Sequence, residues 1–276
     1  MYKGHIIGLI SDQNIKIWRY MKYKWFEKML MERKLHFTRV DRFDDKFEGW
    51  VPGINLKRHT LFEKYRTHTY ANCWHEKDHE SNLMWEKYSK DKDSNDKGIV
   101  IQSTFKRLVE SLRIDDINDE YIDRMKYIDS DIVSEIEDNI RIPFFLKRKE
   151  YDDEHEIRAI IQIMNPDSWN LYDTGIDIPI LLDELIENIY IFPQAPRDFY
   201  DSVQAIVNKC GLRIHVNESC LSRVRREIFI PERAKVTNIS MLPNDPLSPD
   251  QSGNFNISHV TAYVIDQIPY NNKTKK

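Results

Sequence analysis

The stretch TYANCWHEKDH, Thr69 to His79, decides how this chain is read, because its two halves point to different structures. TYANCW is apolar and aromatic, which predicts a strand over Thr69–Trp74. HEKDH, His75 to His79, spells the H-E-x-x-H consensus of zinc proteases. That consensus works only inside a helix, where both histidines share one face and the glutamate between them polarises a metal-bound water. Here the next helical pattern begins around Glu80 to Asn82 and runs through Leu83, Met84, Trp85 and Tyr88. The five letters therefore fall on a strand end and a turn, and nothing downstream has the spacing of a third ligand. No metal is assigned, and His75 is left as a residue that lines a cleft.

Working outward from this strand, Ile15–Tyr20 and Leu35–Val40 read as further strands, with Lys24–Arg33 between them as a helix that pairs Trp25 with Met29 and Phe26 with Leu30. The block Asp41–Gly49 is a turn anchored by Phe43 and Phe47, and Asn55–Arg66 is a helix. Gly98–Gln102 is an apolar strand, and Thr104 caps the helix that follows. A short strand at Arg124–Tyr127 and a helix at Ser130–Asn139 come next, ended by Pro143. Ile157–Ile163 is the strongest central strand. Asn165–Ile180 reads as loop, Leu181–Ile189 and Ala195–Val207 as helical, and Gly211–Val216 and Glu227–Ile230 as strands around a helix at Ser219–Arg225. This mixture predicts an α+β fold, a single mixed-sheet domain with intervening helices over residues 1–238. Residues 239–276 are expected to hold an exposed linker, a last strand at Val260–Ile268 and a flexible tail.

The chain has 276 residues, 41% of them hydrophobic and 12% aromatic, enough for a sizeable core. Its formal net charge of -4 offers no domain-wide cationic field for coating nucleic acid. Cys73, Cys210 and Cys220 form no C-x-x-C spacing and suit a reducing compartment. With no signal-like leader and no membrane-length apolar run, the expectation is a cytoplasmic protein that does not engage a membrane. No G-x-G-x-x-G or P-loop is present, so a bound nucleotide needs another geometry.

Candidate site residues come from charges set in apolar surroundings. Glu154 and Glu156 share a face if the strand begins early, with His155 opposite and Arg158 on the glutamates' side. Such a stripe can orient a sugar hydroxyl, stabilise a cationic sugar centre or bind phosphate; it also describes an ordinary salt-bridged strand face. Arg19, between Trp18 and Tyr20, offers a guanidinium fork to phosphate or carboxylate, or snorkels from an edge. Trp74, Trp85 and Tyr88 can stack on a planar ring or simply fill the core. Ser81 reads as a helix cap and Cys73 as an unreactive thiol.

W18-R-Y20, L35-H-F-T-R-V-D-R-F-D-D-K-F-E-G49, A71-N-C-W-H75, S81-N-L-M-W-E-K-Y88 with G98-I-V-I101, and K149-E-Y-D-D-E-H-E-I-R158 together resemble the bacterial and phage family called domain of unknown function 2971. The resemblance covers roughly residues 14 to 232, including I214–P231. The chain departs from the family's N-D-P-F-E turn at Asp44 and Lys46, on either side of Asp45, and its charged loop Asp91–Lys97 is longer. Both departures fall where a pocket rim is expected. The family has no established activity; the resemblance implies a cytoplasmic domain in a setting of phage–host conflict.

In outline the order of features is also similar to ADP-ribosyltransferases. That similarity implies NAD as cofactor, with Arg19 in the early NAD-holding role, Glu154 or Glu156 as the late glutamate, and Tyr20, Thr38, Trp85, Tyr88 and Arg158 around the dinucleotide. Ser103 is the other candidate for Thr38's middle position. It makes the chain an ADP-ribosyltransferase or NAD glycohydrolase, with a protein, a nucleic acid or water as acceptor. The alternatives are a non-catalytic sensor or interaction module in phage defence or counter-defence, and a metal-dependent nuclease in which Asp44, Asp45, Glu48, Glu154 and Glu156 converge.

Overall fold

The computed structural model describes residues 10–49, 63–88, 98–113, 120–129, 140–163 and 174–222. The chain divides into two units, Met1–Val224 and Arg225–Lys276, and the described residues all lie in the first. The expected helix Ser130–Asn139, the strand Glu227–Ile230, the boundary at 238 and everything expected beyond it fall outside the described residues. So does most of the helix Asn55–Arg66, of which 63–68 is described and helical.

In chain order the elements are β1 (Lys16–Lys22), α1 (Tyr23–Glu32), β2 (Lys34–Arg39), β3 (Thr69–Glu76), α2 (Asn82–Tyr88), β4 (Gly98–Thr104), α3 (Phe105–Ser111), β5 (Glu120–Arg124), β6 (Lys126–Ile128), β7 (Leu146–Arg148), β8 (Glu156–Gln162), β9 (Gly175–Pro179), α4 (Leu182–Leu185), β10 (Asn188–Ile191), α5 (Arg197–Lys209) and β11 (Val216–Glu218). Nine strands form one mixed sheet, β11-β10-β4-β1-β3-β2-β9, to which β8 adds beside β3 and β5 beside β8. The expected α+β class is the one observed. Among the described residues no helix is long and apolar enough to cross a membrane.

The sheet forks at β3. One edge of β3 pairs with β8 from Thr69 to His75. Its other edge is shared: β2 holds Tyr70 and Ala71, β1 holds His75 and Glu76, and Asn72 to Trp74 have no strand partner on that side. Backbone groups left this way inside a protein need side-chain partners. Arg19 supplies one, its Nη1 donating to the Cys73 carbonyl at 2.7 Å, and Asn72 ties the fork to β2 by donating to the His36 carbonyl at 2.7 Å.

The two faces of the sheet differ because strand side chains alternate. Ile17 and Met21 of β1, Leu35 and Phe37 of β2, Ile99 and Ile101 of β4, and Ile157, Ala159 and Ile161 of β8 build one continuous apolar core. Helices α1, α3 and α5 cover it; α1 contributes Phe26, Met29 and Leu30, spaced to share one helical stripe, while Trp25 stays exposed. Thr104 caps α3 as expected, accepting from the Arg107 N–H at 3.2 Å. Among the described residues the opposite face carries two small apolar clusters. One joins Trp18, Tyr20 and Val100 with Met84 and Trp85 of α2; the other joins Val40, Ala71, Tyr121, Phe144, Phe145 and Ile160.

Several expectations need correction. Gly175–Pro179, read as loop, is β9: its backbone lies so close to β2 that a Cβ on Gly175 would stand 2.3 Å from the Phe37 carbonyl oxygen. Leu181–Ile189 holds only the short α4 before β10 begins. The strand expected at Gly211–Val216 starts at Val216, the described part of the expected helix Ser219–Arg225 holds a 3-10 turn at Cys220–Ser222, and the strand Arg124–Tyr127 divides at Met125 between β5 and β6.

Candidate functional site

The HEKDH letters lie where the sequence placed them. His75 is the second-last residue of β3 and is buried, whereas His79 is exposed in the following turn, so the two share no helix face. Among the described residues no group of three or more His, Cys, Asp or Glu is placed to hold a metal ion. Ser81 behaves as a cap, its Oγ accepting from the Met84 N–H at 3.4 Å.

Beside the fork is a cavity of about 540 Å³, lined by residues of both small apolar clusters and by a dense set of charges. Arg19, Tyr20, Thr38, Tyr88, Glu154, Glu156 and Arg158, dispersed in sequence, all line it. Trp85 does not. It is fully buried beneath α2, its Nε1 donating to Glu80 at 3.0 Å and its ring meeting Tyr20 edge-on at 5.1 Å, so it is a core residue and not a stacking surface.

The E-x-E-x-R stripe converges by a different route from the one expected. Glu154 is not on the strand; it ends a 3-10 turn, Lys149–Glu154, and β8 starts at Glu156. His155 between them adopts the left-handed region at φ 38, a conformation that costs a β-carbon-bearing residue on the order of 1–3 kcal/mol. Both carboxylates reach Lys147, at 2.5 Å from Glu154 and 2.8 Å from Glu156. The stripe is not a solvated strand face: Glu154, Glu156 and Lys147 are nearly shut from water, and Arg158 is completely so.

Glu48 completes the cluster. It arrives on the Asp41–Gly49 turn, which closes at Gly49 with φ 73; a Cβ there would strike Phe144 at 2.7 Å. Glu48 pairs with Arg158 through Oε2 and with Lys147 at 3.3 Å through Oε1. Arg158 also donates from Nε to Glu156 at 2.6 Å and from Nη1 to the Phe144 carbonyl at 3.0 Å. At the rim Lys87 pairs with Glu154, and the Tyr88 hydroxyl donates to the same Glu154 oxygen at 3.0 Å. Burial alone favours a neutral acid, yet Arg158 and then Lys147 hold Glu156 down to about 2. Glu154 is likewise held below its ordinary value, burial being outweighed by Lys147 and then Lys87. Burial would strip the proton from Lys147, but Glu156 and Glu48 keep it charged. Glu154, Glu156, Lys147 and Arg158 are therefore ionised at neutral pH.

Asp44 and Asp45 line the same cavity. The five carboxylates of the nuclease reading thus share one wall, but Asp45 holds Arg148 at 3.1 Å and the buried three hold Lys147 and Arg158. Burial pushes the Cys73 thiol pKa far up.

Arg19 differs from these cations. Among the described residues no carboxylate lies within ion-pair distance of it; its one hydrogen bond goes to the Cys73 carbonyl, and it stays half-buried on the cavity wall. Burial lowers its pKa from the ordinary guanidinium value, partly offset by Cys73 and by Glu156 across the cavity. Sequence reasoning missed Lys147 altogether. Its signal was a cation placed directly after Pro143-Phe-Phe-Leu146, in a segment that becomes buried.

No family model and no curated protein matches the chain, so the kinship with domain of unknown function 2971 remains a resemblance of motifs. Among solved structures the chain is similar to "Thermus sp. 2.9 DarT in complex with NAD+", at 9% identity and a TM-score of 0.37, over 75% of this chain and 96% of that one. A superposition that loose does not carry the site of one protein onto the other.

Proposed function

We propose that the cavity binds NAD and that the protein is an ADP-ribosyltransferase or NAD glycohydrolase. The observation that carries this is Arg19, a guanidinium with no carboxylate partner among the described residues, lining the same cavity as a buried cluster of three carboxylates. An uncompensated guanidinium is a ready partner for a pyrophosphate. Tyr20, Tyr88 and Trp18 supply ring surface along the same wall, and the volume lies within the range of small-molecule sites, about 300–1,000 Å³.

The carboxylates supply a fixed field. Glu48, Glu154 and Glu156 face two fully buried cations, Lys147 and Arg158, which leaves one negative charge that Lys87 meets only from the half-open rim. A preorganised anionic site of low dielectric favours the positive charge that develops on a ribose as nicotinamide leaves. The target is a protein, a nucleic acid or water, and the setting of phage–host conflict rests on the motif resemblance. Nicotinamide release from NAD by the purified protein, with and without cell lysate, tests this reading. Release that disappears in Arg19→Ala and Glu156→Gln variants of verified fold supports it; no release and no NAD binding sinks it.

A second reading has its own observation. Each oxygen of Glu48, Glu154 and Glu156 already receives a charged donor, which makes all three poor bases. A module that binds NAD or another nucleotide and signals without turnover fits that saturation. Tight binding without nicotinamide release is its signature.

A further inference from the structure

With each carboxylate tied into ion pairs, the buried cluster is a poor proton acceptor, yet transfer to water or to a target hydroxyl releases a proton. Asp44 carries a carboxylate without a partner among the described residues, but it stands exposed at the rim. His75 is different. It lines the cavity, is 1% exposed, and its Nδ1 lies 2.6 Å from the backbone carbonyl of Glu154. A carbonyl only accepts, so Nδ1 carries the hydrogen and Nε2 carries the lone pair. Nε2 is buried and has no hydrogen-bond partner among the described residues. Native interiors leave few such atoms, and the exceptions call for a role.

We infer that His75 Nε2 takes the proton of the attacking oxygen, an assignment that rests on the NAD reading above. The bond from ribose C1′ to the nicotinamide nitrogen breaks, with its electron pair leaving on nicotinamide. The oxygen of water or of the target hydroxyl bonds to C1′, and its proton passes to Nε2 and then to solvent. The Glu154 carbonyl keeps its hydrogen bond to Nδ1 throughout and holds the ring in place. Around the ring stand Tyr20 of β1 at 6.3 Å, His155 at 6.2 Å, Lys77 and the Glu154 carboxylate. Burial, the largest influence, keeps the imidazole neutral and ready to accept; Lys77 and His155 act in the same direction, and the Glu154 carbonyl and carboxylate oppose.

Azide provides the test, because it attacks carbon without losing a proton. Wild type, His75→Asn and His75→Gln are incubated with NAD and azide, and the ratio of ADP-ribosyl azide to ADP-ribose is measured. His75→Asn keeps a donor for the Glu154 carbonyl and removes the ring lone pair; His75→Gln places a non-basic amide near the Nε2 position. The ratio is expected to rise at least about tenfold in whichever variant retains its fold, since only water capture needs the base. Glu156→Gln is expected to slow both products together. An unchanged ratio in a folded, nicotinamide-releasing His75 variant overturns the assignment and leaves the NAD reading standing. Absence of nicotinamide release from wild type sinks both.

Discussion

Ile161 and Arg158 stand on the same strand and are equally shut from water, yet they face opposite sides of the sheet and different chemistry. On the side of Ile161, apolar side chains from nine strands and helices meet; each contributes roughly 1.5–3 kcal/mol simply by leaving water. On the side of Arg158, five ionised groups are buried together. Their mutual attraction does little more than offset the cost of taking them out of water. The first face explains why the chain folds. The second does not, and under the proposed function its charges serve a ligand.

That contrast can be broken by mutation. Arg158→Met leaves Glu48 and Glu156 buried with only one of their two shared cations, Lys147, and a loss of about 3–5 kcal/mol is expected in urea unfolding, at least as large as the roughly 2–5 kcal/mol for Leu30→Ala in the apolar core. Removing the charges together has the opposite sense. Glu48→Leu, Lys147→Met, Glu156→Leu and Arg158→Met combined should be neutral or stabilise by up to about 4 kcal/mol, while NAD binding disappears. A large destabilisation of the combined variant would make the cluster a structural device.

Acid separates the faces without mutation. Glu156 has a folded pKa of about 2 against 4.5 ordinarily, so its stabilisation is complete above 4.5 and is lost as pH falls towards 2. His75, lowered from 6.5, takes up a proton more readily when unfolded and so erodes stability as pH drops below that value. Thermal unfolding followed by circular dichroism should show a midpoint that is level near neutrality, declines below about pH 6.5 and falls more steeply below about 4.5. The smallest effect belongs to the surface. Arg124 and Glu76 form a two-point pair at 2.6 and 2.8 Å, but both are partly exposed, and Arg124→Ala should cost under about 1 kcal/mol in the same unfolding assay.

The apolar face was the legible one. IKIWRY, LHFTRV, TYANCW, GIVIQ and IRAIIQI announce strands by composition, and the KWFEKMLMER spacing announces α1, because burial of a whole face imposes a period on the sequence. β9 and β10 were lost because GIDIP and NIYI are short and sit beside proline or acidic helix formers, where only pairing with β2 and β4 makes them strands. The charged face imposes no period. Glu154, Glu156, Arg158 and Arg19 were visible as charges out of place, but Glu48 lies 110 residues from the arginine it pairs with, and its turn reads as ordinary surface. Lys147 was hidden inside the polar run KRKEYDDEHE, and the left-handed turn at His155 has no glycine to mark it.

Thermal unfolding of wild type and Arg19→Ala, each with and without NAD, tests most directly whether the charged face exists for a ligand. Without NAD the variant's midpoint should lie modestly below the wild type's, since the Cys73 carbonyl loses its donor but no ion pair among the described residues is lost; with NAD the wild-type midpoint should rise and the variant's should not. A wild-type midpoint indifferent to NAD, or an equal rise in Arg19→Ala, would contradict the account.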